Sequence, residues 1–248
     1  MNRSTLLLLM AIVFAFACHR KPEEKYKPEY SMIEQSKIIG DTAYFSIDLQ
    51  YPLFNSTDNS KNTGLDLLNK RMEAFLDTAS NYYWGTDADG ARKVIDETGA
   101  HGKYELLNRY EALSKDVNLI SVKFETYSYA LGAHGFTAIT TFNFDVKNGK
   151  FLKLADFVSI NTAEEQNALN ALLVKYLENP QQCFDKAPSA GKEFENFGVT
   201  MENMIFYFEA YELGAYYCGA AAIKIPIKVL KESGIWKWQE NTQEAKIG

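Results

Sequence analysis

The sequence predicts an α+β protein: an antiparallel β-sheet with two long helices packed on it, arranged as two lobes that share a core. Three observations carry this. Apolar residues alternate with period two in several short runs, they recur at helical spacing in two longer ones, and turn signals separate the two kinds of segment. With 46% hydrophobic and 14% aromatic residues, and 6 prolines in 248, the composition suits a chain that can bury a core.

The first signal along the chain lies outside that fold. Asn2 and Arg3 precede an apolar run over 6–17 that stops at Cys18, and His19, Arg20 and Lys21 follow. This is the layout of an export signal. As a helix the run would reach only about 18 Å, short of the roughly 30 Å hydrocarbon core of a bilayer. Ala15-Phe16-Ala17-Cys18 resembles a bacterial lipobox, in which cleavage before the cysteine leaves it free to carry acyl chains. We therefore expect residues 1–17 to be a signal peptide and residues 18–29 a lipidated cysteine with a polar spacer. The mature chain would then be extracytoplasmic in a bacterial cell envelope, held to the membrane surface through Cys18. Ala15 stands where Leu is more usual, which leaves ordinary secretory cleavage as the alternative. Loss of 1–17 removes Arg3 and leaves 25 basic against 32 acidic residues, a formal charge of −7, which argues against nucleic acid as a partner.

Folded structure is expected from Tyr30. Phe45, Ile47, Leu49 and Tyr51 alternate with Ser46, Asp48 and Gln50, predicting a half-buried strand over 44–51. Leu65, Leu68, Met72, Phe75, Leu76 and Ala79 then recur at helical spacing, a helix of some four turns, and 82–90 reads as a loop of aromatic and small polar residues. Strands follow over 104–110, 119–129 and 136–146, the last with Phe136, Ala138, Thr140, Phe142 and Phe144 on one side. Asn148-Gly149 supplies the two residues that a type I′ hairpin prefers. Thr162, with Glu165 three residues on, opens the second long helix through Leu169, Leu172, Leu173, Tyr176 and Leu177, and Asn179-Pro180 ends it. Late strands over 204–211 and 221–227, a short helix and a polar tail complete the chain. The division is an N-terminal lobe over 30–115, a C-terminal lobe over 116–235 and a tail over 236–248.

Three stretches carry a family resemblance: Tyr129 with Gly132-Ala133-His134-Gly135, Asn143-Phe144-Asp145 with Asn148-Gly149-Lys150, and Phe206-Tyr207-Phe208-Glu209-Ala210-Tyr211-Glu212-Leu213 with Tyr216 and Gly219. In that order they resemble the extracytoplasmic domain of RsiV-type anti-sigma factors, found also beside polysaccharide deacetylase domains of the PdaC type. The N-terminal part, with Leu68-Asn69-Lys70 opening a helix, is similar to the companion domain that usually precedes it. Leu131 stands where the family commonly has a glycine. Read as it stands, the chain offers no cytoplasmic segment before its apolar run and no deacetylase domain after Tyr216, so neither sigma binding nor hydrolysis is expected of it. The resemblance implies a non-catalytic envelope lipoprotein whose partner is a lysozyme-like protein or peptidoglycan.

Candidate chemistry is sparse. His134 lies between Gly132 and Gly135, which let a backbone approach a ligand closely, but no His-x-x-x-His or Cys-x-x-Cys accompanies it, so no metal and no cofactor is expected. Cys183 and Cys218 are a candidate disulfide in an oxidising compartment, the alternative being two buried thiols. Tyr82, Tyr83 and Trp84, together with Tyr211, are candidate aromatic platforms for a glycan or protein partner. The competing function is a glycan-modifying hydrolase using carboxylates near Glu209, with His134.

Overall fold

The computed structural model describes residues 30–40, 43–57, 64–99 and 102–238, and of residues 82–88 the backbone alone. Cys18, the expected lipidation site, and the tail beyond Trp238 lie outside the described residues. Among the described residues no helix is long and apolar enough to cross a membrane.

Strands β1 (Tyr30–Ile39), β2 (Phe45–Ser56), β3 (Tyr104–Lys115), β4 (Leu119–Tyr129), β5 (Phe136–Asp145) and β6 (Lys150–Phe151) form one sheet in that order. It is mixed, because β2 and β3 run parallel, Phe45 opposite Tyr104, while every other neighbouring pair is antiparallel. The expectation of an all-antiparallel sheet is corrected for a topological reason. Helix α1 (Leu65–Thr98), 34 residues long, carries the chain from the end of β2 back to its start, and a crossover of that kind delivers a parallel neighbour.

The same helix corrects the loop expected over 82–90: the backbone there stays helical until Gly99, which adopts φ 63° and donates its N–H to the Ile95 carbonyl. Tyr82, Tyr83 and Trp84 are therefore helical residues, and their side chains lie outside the described residues. Leu65, Leu68, Met72 and Leu76 press onto Ile120, Val122, Phe124, Phe142 and Phe144, so one face of the sheet is covered by α1. The N-terminus of α1 sits so close to the β5–β6 turn that a Cβ on Gly64 would fall 2.8 Å from the Cα of Gly149. That turn has four residues rather than the expected two. Asp145 and Lys150 are paired, the Asp145 carboxylate accepts the Asn148 N–H at 2.9 Å, and only Gly149 in the turn has positive φ.

A short helix α2 (Leu154–Phe157) leads into α3 (Ala163–Tyr176), whose N-cap Thr162 and Glu165 bond reciprocally as the capping box predicts. Glu165 also accepts from the Ser159 hydroxyl and the Asn161 N–H, and these bonds hold its carboxyl below the usual carboxylate range. The chain then builds a second, three-stranded antiparallel sheet from β7 (Phe197–Val199), β8 (Asn203–Phe208) and β9 (Ala221–Pro226), followed by α4 (Ile227–Glu232). Alternation in β8 divides its side chains. Met204, Phe206 and Phe208 pack toward α3, whereas Ile205 and Tyr207 meet Leu113 and Ile139 on the face of the large sheet opposite α1.

The molecule is thus layered as helix, large sheet, small sheet, helix. Its apolar interior is divided: one cluster lies under α1, another under α3, and a small one lies between the sheets. The expected lobes 30–115 and 116–235 share the cluster under α1, where Leu49, Leu68 and Leu106 meet Ile120, Phe124 and Phe144, while the cluster under α3 belongs to the C-terminal lobe. Each fully buried Phe in them, among them Phe124 and Phe144 on one side and Phe157 and Phe206 on the other, stabilises the fold by about 2–3 kcal/mol.

Candidate functional site

The turn from β4 to β5 and the loop leaving β8 meet at one end of the large sheet. In the turn, Leu131 adopts φ 58°, a left-handed conformation that favours glycine, and Gly132, Ala133 and His134 face solvent. Gly135 is buried. A Cβ there would lie 2.3 Å from the Tyr127 ring, so a side chain at this position would have to displace that ring, while the Cα of Gly132 opens onto free space.

From the second sheet, β8 stops at Phe208, earlier than the expected 211, because Tyr211 turns the chain with φ 75°. Tyr211 is 52% exposed, and its hydroxyl lies 3.3 Å from His134 Nε2. Tyr216 stacks on the His134 ring with centroids 3.7 Å apart and planes at 20°, and donates its hydroxyl to the Gly135 carbonyl at 2.6 Å. The Tyr211 and Tyr216 rings are 5.4 Å apart. His134 Nδ1 is 3.0 Å from the same Gly135 carbonyl. A carbonyl can only accept, so Nδ1 carries the proton, and in the neutral ring Nε2 accepts from Tyr211. Burial, with Glu105, Tyr216 and Tyr129 nearby, pushes the Tyr127 hydroxyl above its ordinary range.

The structure therefore brings His134, Gly132, Gly135 and Tyr211 together with Tyr216, which the sequence offers as a landmark of the family resemblance. Its contact with the turn is not legible locally, because its partner Gly135 is 81 residues away. The aromatic triplet Tyr82, Tyr83 and Trp84 belongs instead to α1, the helix on the other face of the large sheet. Cys183 and Cys218 form a disulfide with Cα atoms 5.6 Å apart, beside this loop. Glu209 and Glu212 are engaged by the backbone: Glu209 accepts the N–H of Ile139 at 2.7 Å, on the edge of β5, and Glu212 accepts the N–H of Glu209. Among the described residues no three His, Cys, Asp or Glu side chains gather as a metal-ligand group.

Residues 38–137 match the family model of Deacetylase PdaC, and residues 155–228 match that of the protein of unknown function DUF3298. Over 214 residues, 82% of this chain, the sequence is 26% identical to the peptidoglycan-N-acetylmuramic acid deacetylase PdaC of Bacillus subtilis, and the match spans 42% of that protein, less than half its length. A crystal structure of a DUF3298-family protein from Bacteroides fragilis superposes with a TM-score of 0.56 at 20% identity, covering 85% of this chain and 95% of the other. Another from Pseudomonas aeruginosa gives 0.54 at 16% identity, with 86% and 95% covered. These establish the fold. The two matched segments follow one another in tandem, in the order that the sequence resemblance implies. His134 lies in the first matched segment and Tyr211 and Tyr216 in the second, so the cluster is built where the two segments meet.

Proposed function

We propose that this chain, a PdaC-type segment followed by a DUF3298 segment, is a cell-envelope lipoprotein that binds cell-wall glycan without modifying it, through the His134–Tyr211–Tyr216 cluster. The observation that carries the reading is the cluster itself: a solvent-facing stack of rings assembled from both segments. Ring faces bear negative charge density that favours the C–H-rich face of a sugar, and the Tyr211 hydroxyl and His134 Nε2 offer polar partners at its rim. The relative's name concerns peptidoglycan, which supports a cell-wall ligand. The Glu209 carboxylate spends one oxygen on the Ile139 N–H, an arrangement that suits a structural role better than proton transfer. Cys18 supplies the tether.

Co-sedimentation with purified peptidoglycan sacculi tests the reading. The parent is expected to pellet with sacculi, and Tyr211→Ala and His134→Ala to lower the apparent affinity by about tenfold or more, as truncation of central aromatic anchors does. A parent that stays in the supernatant overturns glycan binding. Release of products from sacculi that Glu209→Gln abolishes would establish the hydrolase instead, and retention on immobilised lysozyme without retention on sacculi would move the ligand to a protein. The tether is read separately: Cys18→Ser is expected to shift the protein from the membrane fraction to the soluble extracytoplasmic fraction.

A further inference from the structure

The loop that presents Tyr211 and Tyr216 is held by a second segment, 179–186, that contributes no ring to the cluster. The Asn179 side chain grips Phe184 from both sides, donating to its carbonyl and accepting its N–H, each at 2.8 Å. Phe184 pairs with Gly214, and the Asp185 and Lys186 N–H groups both donate to the Leu213 carbonyl. Lys186 Nζ donates to the Tyr211 carbonyl at 3.0 Å. The contact is close: a Cβ on Gly214 would fall 2.7 Å from the Cys183 carbonyl oxygen.

The covalent link between the two segments is the Cys183–Cys218 disulfide, with Cys218 ending the 3-10 turn Tyr216–Cys218 that contains the stacking ring. Left-handed backbone gathers around it, with Gln181 at φ 57° and Gln182 at φ 54° on one side of the bond and Tyr211 at φ 75° on the other. Such residues persist only where the surroundings over-determine them. Both cysteines are half-buried, within reach of a small reductant.

We infer that the Cys183–Cys218 bond is a redox-controlled brace for the ring cluster: the oxidised chain holds Tyr216 against His134, and the reduced chain releases it while both sheets stay folded. This rests on the glycan-binding reading for its consequence, since release would remove the binding surface, but not for its structural content. The chemistry is thiol–disulfide exchange with a dithiol. One thiolate of the reductant attacks a sulfur of the bond, its second thiol resolves the mixed disulfide, and two electrons and two protons pass to the protein, leaving Cys183 and Cys218 as thiols and the reductant as a disulfide. Lys186 is a positioning residue in the same brace.

The test uses the aromatic proton resonances of His134, assigned with His134→Asn, in the mature chain before and after dithiothreitol, with free thiols counted. Stacking on Tyr216 shifts those resonances upfield. The shift is expected to vanish on reduction and return on reoxidation, while the amide resonances of β1 to β5 stay in place. In the oxidised protein Lys186→Met is expected to weaken the shift and Lys186→Arg to restore it. Sacculus binding, measured in parallel, is expected to fall about tenfold or more on reduction, as loss of preorganisation predicts. An unchanged His134 shift at full reduction overturns the brace. So does global loss of amide dispersion, which would mean that the bond holds the fold rather than the cluster. If the oxidised parent ignores sacculi while the His134 shift responds as expected, the glycan reading fails and the brace stands.

Discussion

Asn143 joins the two sheets by three linked hydrogen bonds. Its Nδ2–H donates to the Phe197 carbonyl at 2.8 Å, its Oδ1 accepts from the Ser121 hydroxyl at 2.7 Å, and the Ser121 oxygen accepts the Val199 N–H at 3.0 Å. Strand β7 pairs with β8 along one edge only, so its other edge would be left with buried, unpaired backbone groups. Asn143 and Ser121, both buried, supply those partners. Asn143→Leu keeps the volume and removes the partners, and is expected to destabilise the protein by about 3 kcal/mol, read as a lower urea midpoint with unchanged slope. A Leu variant as stable as the parent would show that the network contributes nothing net. Between the same strands Gly198 permits the approach, since a Cβ there would lie 2.1 Å from Leu113 Cδ1. Gly198→Ala is expected to cost about 1–3 kcal/mol in the same titration, the lower figure if Leu113 swings away. Asn143 is visible in the sequence as a landmark of the family resemblance. Its reason is not, because Phe197 is 54 residues away and β7, three residues long, leaves no periodic trace.

At the scale of elements, α1 is where sequence and structure differ most. The apolar stripe from Leu65 to Ala79 is legible, but beyond it come Tyr82, Tyr83 and Trp84 side by side and then small and polar residues with Gly85 and Gly90 in the interior, and periodicity alone gives no reason to continue. The buried Ala91 shows that the helix still packs one face there. Gly90 is exposed, and nothing lies within 4 Å of where its Cβ would be. Gly90→Ala should therefore stabilise the protein by about 0.5–1 kcal/mol, seen as a higher thermal midpoint with slightly greater helical ellipticity at 222 nm. A destabilised Ala variant would imply that this part of α1 is not helical. The second long helix was legible to its first residue because Thr162 and Glu165 form a local signal that needs no tertiary partner. Strand β1 was not, since most of its residues are exposed on both faces and alternation has nothing to report. The parallel pairing of β2 with β3 is likewise decided by the path of α1, which no strand pattern encodes.

In the whole molecule, the face between the two sheets carries a half-buried charge. Lys123 Nζ lies 2.9 Å from both Glu111 and Glu125 and 5.4 Å from the ring centre of the buried Tyr207. Burial by itself would lower the pKa of Lys123, but the two carboxylates outweigh it and the ammonium is held above its ordinary value. Burial pushes the Tyr207 hydroxyl up to about 12, against the pull of Lys123 and with help from Glu111 and Glu125. Both shifts make the fold sensitive to alkali in the same direction. An unfolded tyrosine ionises near pH 10, so between about pH 10 and 12 the unfolded chain loses a proton that folded Tyr207 keeps, and stability falls with rising pH. The contribution of Lys123 is complete below its unfolded pKa of about 10.4 and is lost only as pH climbs through the raised folded value. Tyr207 alone is expected to remove about 2 kcal/mol of stability by pH 12. Urea titrations at pH 9, 10 and 11 should therefore give falling midpoints, with a shallower fall in Tyr207→Phe, whose ring still packs on Ile139, Ile205 and Leu113 but has no proton to lose. Equal slopes for the two proteins would place the alkaline sensitivity elsewhere, for example at the buried Tyr30 hydroxyl under α1, which burial also raises. Because Tyr207 belongs to the contact between sheets, its ionisation should part them before either core opens, and amide exchange at β7 and β8 should accelerate at a lower pH than exchange at β4.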